Sequence, residues 1–292
     1  MKTAAVWLLL AAAAYGQDPP EAKPKSDEPI PDVVPLPDRW RIPFSYYPLN
    51  EPGSLEDPYH QNILKGDYPI LGQNIFMNLS ARSDTTLEGR RLPTTSNVST
   101  NQARNPDFFG GGDQLFLNQD FAATVEVYHG ETAFRPRDWE FRATAALNYN
   151  YVDLRETTNV NPNPADGTTR GDKHAALQEC LAELHLVDIG DNYDFIAIRG
   201  GIQPFVSDFR GFIFKDTNFG IRLFGTFLSN RIQWNLAGFD QLEKDTNSNL
   251  NTFHSRDQRV YIANVYMQDF VWEGYTAQLS FHNSRDDGDD HY

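Results

Sequence analysis

Charged and amide side chains in this chain keep returning at every second position. Glu126 stands in one stretch, Glu140 and Arg142 in the next, and Glu179, Glu183 and His185 in a third; Arg199 and Gln203 follow, then Arg222. Each alternates with apolar residues, which places it on the polar side of a half-buried strand. Acids and bases facing one another across water make a transverse field that orients polar solutes, and rings of like charge set ion preference. In a narrow bore the same groups would pair as a polar core. These residues are the candidates for lining a lumen. Asp208, Arg210, Lys215 and Asp216 come directly after Gln203 and form a constriction if their loop folds inward, or a solvated loop if it does not.

Other chemistry is weakly represented. The chain has no G-x-S-x-G, H-E-x-x-H or P-loop, so no catalytic residues are assigned and no enzyme is expected. His129, His174, His185, His254 and His282 are scattered; His185 with Glu183 is a poor metal pair that lumenal polarity explains better. The Asp286–Asp290 run lacks the ligand spacing of a calcium loop. No metal or cofactor is expected. Cys180 is the one cysteine, which rules out an intramolecular disulfide and a cysteine-based metal site. Asn78-Leu79-Ser80 and Asn97-Val98-Ser99 match a glycosylation sequon that arises often by chance.

The elements that carry these residues are nine stretches with period-two hydrophobicity: 74–83, 114–128, 139–153, 176–188, 195–203, 219–228, 231–239, 259–268 and 275–283. The third is the clearest. Trp139, Phe141, Ala143, Ala145, Leu147, Tyr149 and Tyr151 share one side, opposite Glu140, Arg142, Thr144, Asn148 and Asn150. In the fourth, Ala176, Cys180, Ala182, Leu184 and Leu186 oppose Glu179, Glu183 and His185. Phe76 breaks the pattern of the first. Ser229-Asn230 reads as a tight hairpin turn. The gaps are long after the odd-numbered stretches and shorter after the even-numbered ones. Polar, turn-rich segments fill 84–113, 156–173 and 240–258.

Short turns on one side, long loops on the other, and strands with one apolar face are the signature of an outer-membrane barrel. The expected fold is therefore all-β, a transmembrane antiparallel up-and-down β-barrel. An odd count of nine, ending in an acidic segment (284–292), suggests the N-terminal part of a larger, even-stranded barrel. The rival is an eight-stranded barrel with one stretch misread.

Arg199-Gly200-Gly201-Ile202-Gln203-Pro204-Phe205, followed by Asp208-Phe209-Arg210-Gly211-Phe212, is the most distinctive local sequence. It resembles the Arg-x-Gly-x-Gln-x-Phe strand end of the porin families that include phosphate-selective and alginate-export channels. The resemblance covers seven residues and implies a porin-like channel for passive diffusion of small polar or charged solutes, with no particular solute. The alternatives are a non-conducting barrel serving as a receptor, adhesion or assembly surface, and a secreted β-sandwich.

The N-terminus agrees with export. Lys2, the apolar run Ala4–Ala14 and Ala14-Tyr15-Gly16 form a signal peptide over 1–16. Residues 17–38 are rich in Pro and acids and read as a disordered periplasmic leader. Residues 39–73 hold Trp40, Phe44, Tyr46, Tyr47, Tyr59 and Tyr68 among prolines and glycines, an ordered but irregular cap or plug before the barrel (74–283). The formal charge of −15 argues against a nucleic-acid partner. The expected partners are outer-membrane lipid and small polar solutes, with a homo-oligomer also compatible. The expected location is the bacterial outer membrane, leader in the periplasm.

Overall fold

A strand buries or wets alternate residues, so nine alternating stretches can satisfy their backbone groups only by pairing with one another. The computed structural model describes residues 55–56, 61–94, 111–130, 136–156, 158–190, 192 and 194–287. The signal peptide, the leader, most of 39–60, the Asn97 sequon and 288–292 lie outside the described residues.

All nine strands form: β1 (Ile75–Arg91), β2 (Asp113–His129), β3 (Trp139–Leu154), β4 (Thr169–Ile189), β5 (Asp194–Val206), β6 (Lys215–Phe227), β7 (Ile232–Lys244), β8 (Asn251–Gln268) and β9 (Thr276–Asp286). They make one antiparallel sheet in strict chain order, and the eight-strand reading is set aside. The sheet is not closed. Among the described residues β1 and β9 do not pair with each other, so β9 presents a free edge, as does β1 beyond the Ile75–Leu79 stretch that residues 64–71 bridge.

Most strands outrun their alternation, chiefly at the long-loop end. β1 continues to Arg91, β4 starts at Thr169 and β8 at Asn251, through segments that read as loop. Polar side chains occupy both faces there, which hides a strand from a hydrophobicity pattern but not from its backbone ladder. The gap after β7 shrinks to 245–250, no longer than 269–275 after β8.

Registers define the two faces. One carries Leu79, Val125, Ala143, Cys180, Ile202 and Phe219 in a continuous row. Leu223, Leu236, Ala263 and Phe281 form a second row on the same side. Charge enters this face where the first row continues past Phe219 into Asp240, Arg259 and Arg285. The other face is polar. A bulge shifts the register between Thr144 and Ala145, placing Ala176 opposite Ala146. This corrects the expected side of Ala176: it is buried on the polar face, not beside Cys180 on the apolar one.

Phe76 also lies on the polar face, buried and stacked on Tyr128 at 5.6 Å. Residues 61–72 pack against this short-turn end of β1. Lys65 bridges Asn78, and Leu79 N–H donates to the Leu64 carbonyl at 2.7 Å. At the β6–β7 turn, Leu228, Ser229 and Asn230 all have positive φ. Asp194 from β5 accepts the amides of Ser229 and Asn230, each at 2.8 Å, and so braces the conformation.

Candidate functional site

The polar face is built around a hairpin that leaves the sheet. β5 pairs with β4 only as far as Ile202, and β6 pairs with β7 only from Phe219 onward. Between those limits, residues 203–218 pair only within the hairpin. Gly201 and Gly220 face each other at its base. Gly201 has φ +120°, and a Cβ there would sit 2.1 Å from the Cys180 carbonyl oxygen. A Cβ on Gly220 would meet the Gly238 carbonyl at 2.3 Å. Only glycine permits this bend.

The bend lays the hairpin across the polar face of β7–β9. Phe205 and Phe214 pack on Phe239, with ring centroids 5.4 and 5.7 Å away, joined by Ala237, Val260 and Ile262. Phe209 meets Tyr266 edge-on at 5.2 Å. The buried Ser207 carbonyl accepts from Asn264 Nδ2 at 3.0 Å, Gln278 Nε2 at 2.5 Å and Ser280 Oγ at 3.3 Å, tying the hairpin to β8 and β9. Gln203 is fully buried and donates to the Gly220 carbonyl at 3.0 Å.

Asp208 organises the tip. Its carboxylate accepts the amides of Arg210, Phe212 and Ile213 at 3.0, 3.1 and 2.9 Å. These backbone donors, Ile213 foremost, hold its pKa down to about 2. Arg210 is exposed. Lys215 and Asp216 are the first residues of β6, not loop residues as expected. Lys215 is exposed, whereas Asp216 pairs with Lys244 Nζ at 2.9 Å. Lys244 Nζ also donates to the Thr217 carbonyl at 2.7 Å and to Asn251 Oδ1.

A second inward contact involves the β7–β8 connection. Asn251 N–H donates to Gln178 Oε1 at 3.0 Å, and His174 Nε2 lies 3.1 Å from the Asn251 carbonyl. Asn150 Nδ2 donates to the Asn247 carbonyl at 3.2 Å. The part of β4 left unpaired by the departing hairpin is thus met by the start of β8.

Over β2–β4, four of the expected lining residues, Glu126, Glu140, Arg142 and Glu179, form one ionic network. Arg142 lies 2.9 Å from Glu126, 2.8 Å from Glu140 and 3.9 Å from Glu179. Arg137 joins it, contacting Glu126 and lying 2.7 Å from Glu140. Burial of the guanidinium lowers the Arg137 pKa, but its hydrogen bond and charge pairing with Glu126 and Glu140 outweigh that and raise it. Alternation gives no signal for Arg137, because it precedes β3 in a turn. Glu183 pairs with Arg199, whose Nε donates at 2.6 Å. Arg222 faces Arg199 across the ladder and lies over Phe224 at 4.1 Å. His185 pairs with Asp188 at 2.8 Å rather than with Glu183.

Asn78, Ser80, Thr124, Arg142, Gln178 and Glu179 line a cleft of about 770 Å³, to which Ser248 and Leu250 of the β7–β8 connection also contribute. Asp120 also lines it and accepts from Asn118 and Asn148, each at 2.7 Å. Asp120, Asn148, Ser207 and Lys244 were not among the expected site residues.

No protein-family model, curated protein or solved structure matches the chain.

Proposed function

We propose that this protein is an outer-membrane, porin-like β-barrel that admits small polar or charged solutes by passive diffusion. One observation carries the reading: a single sheet with an apolar outer band and an ion-paired, hydrogen-bonding inner face. In water, the exposed Phe141, Leu147, Ile221, Leu236, Leu279 and Phe281 would form an apolar surface far larger than soluble monomers tolerate. Against lipid it is the required surface. Trp139, Trp234, Trp272 and Tyr275 lie toward the short-turn end, where an interfacial aromatic girdle belongs.

The free edges of β1 and β9 bear on closure. Unpaired backbone groups in hydrocarbon cost several kcal/mol each, so a spanning sheet must close. β1 and β9 run in the same direction, and antiparallel closure therefore takes an odd number of further strands. We take the nine strands as part of a larger, even-stranded barrel. Residues 61–72 cap its short-turn end, and the 203–218 hairpin narrows its bore. The local Arg199–Phe205 resemblance to porins agrees with this reading.

Single-channel recording in planar bilayers tests it, with discrete conductance steps expected. A correctly inserted, heat-modifiable protein that carries no current would discard the channel. That outcome would favour a barrel serving as a receptor or assembly surface, for which the hairpin packed over the inner face is the supporting observation.

A further inference from the structure

The cleft over β1–β4 has a chemistry that the channel reading does not supply. Two guanidinium groups reach its wall, and both are already engaged. Arg82 pairs with Asp84 at 2.7 Å, and Arg142 lies between Glu126 and Glu140. Two carboxylates are not matched in this way. Asp120 has no cation within ion-pair distance among the described residues, and its hydrogen bonds come from the neutral amides of Asn118 and Asn148. Glu179 is 3.9 Å from an Arg142 that lies closer to two other acids, and among the described residues it otherwise accepts only from Thr144 Oγ1 at 3.4 Å. The hydroxyls of Thr124 and Thr144, both lining the cleft, lie 2.9 Å apart, and one donates to the other, which leaves each with acceptor capacity. The walls therefore carry excess acceptors and negative charge around a volume of about 770 Å³. That volume falls within the range of small-molecule sites, roughly 300–1,000 Å³.

We infer that this cleft is a binding station for small organic cations, ammonium or guanidinium compounds that bring both positive charge and hydrogen-bond donors. Glu179 and Asp120 supply the charge; Thr124 and Thr144 supply acceptors. Arg142 lines the cleft already paired and does not repel the ligand as a free cation would. This inference rests on the channel reading for its access route, but the binding it describes is measurable without current.

The test is calorimetric titration of the detergent-solubilised protein with L-arginine, with L-glutamate and glucose as comparators, alongside bilayer recording. The expected result is saturable L-arginine binding that weakens as salt rises and exceeds binding of either comparator. Glu179→Gln, which keeps size and acceptor, should weaken it about fivefold or more, the worth of one unit charge at about 4 Å in a water-like medium. Asp120→Asn should act similarly. Preference for L-glutamate, or L-arginine binding unchanged in both variants, would overturn the inference. A protein that binds L-arginine but passes no current fails as a channel while keeping this site; one that conducts and binds no L-arginine does the reverse.

Discussion

Phe239→Ala should release the folded hairpin while leaving the sheet intact. Phe239 is only 3% exposed, and both Phe205 and Phe214 rest on it. Truncation removes two ring–ring contacts worth about 0.5–1.5 kcal/mol each beyond their area. It also removes part of the roughly 1.5–3 kcal/mol gained by burying such a side chain. Phe239 stays packed on Val260 and Ala237 when the hairpin lifts, so only a share of that burial counts. The closed state should lose about 2–4 kcal/mol in all, which raises its opening constant roughly thirtyfold to a thousandfold at about 1.4 kcal/mol per decade. Amide hydrogen exchange reads this directly. Ser207 N–H donates to the Phe214 carbonyl at 3.0 Å within the hairpin, a bond that a two-stranded hairpin lifted off the sheet holds only marginally, so it should exchange faster by up to that factor. Amides of the β3–β4 ladder should keep their rates, which separates hairpin release from general unfolding. Phe281→Ala, at a residue 65% exposed on the apolar face, is the control and should leave Ser207 unchanged. If Ser207 stays equally protected in Phe239→Ala, the aromatic cluster does not hold the hairpin and the argument fails.

Gly201→Ala should prevent assembly, because its Cβ would overlap the Cys180 carbonyl at 2.1 Å, whereas Gly238→Ala, with Tyr261 no closer than 3.4 Å, should insert normally; heat-modifiable gel mobility distinguishes the two. Arg142→Met should cost about 1–3 kcal/mol in thermal or denaturant stability, since the buried Glu126 and Glu140 are left sharing the partly exposed Arg137; no loss would mean that the network is replaceable polar lining. For Asp208 the folded pKa, about 2, lies below the unfolded value near 3.8, so its contribution is complete above about pH 4 and disappears as pH falls toward 2. Pepsin cleavage at Phe209 or Phe212, normalised to a free peptide of the same sequence, should therefore rise as pH drops from 4 to 2. Asp208→Asn should be cut readily throughout that range, and an unchanged pH profile in the variant would refute the role.

Strand number and order were legible because each stretch repeats one physical requirement. A residue on the apolar face is followed by one on the polar face, and Trp139–Tyr151 shows this at every position but Ala146. The expected lining residues on these strands lie on the polar side for the same reason. The pattern weakened where both faces are polar: the distal parts of β1 and β4 read as loop although their ladders are continuous, and the distal part of β8, which also read as loop, meets β7 at Ser255 and Asn251 across two register shifts. It misplaced Ala176 because one bulge inverts every side upstream of it, and period-two counting cannot see a bulge.

By itself the amino-acid sequence determined nine strands, their antiparallel succession and which side of each is apolar, because these follow from alternation over a few neighbouring residues. Only the tertiary structure decided what occupies the polar side. Gly200-Gly201 was compatible with a bend, but its direction and target depend on Phe239, Asn264 and Gln278, which lie far along the chain. Arg137 enters the Glu126–Glu140 network from a turn, and Lys244 meets Asp216 from the end of another hairpin. These contacts exist only once the sheet has curled, and a pattern confined to one strand holds no record of them.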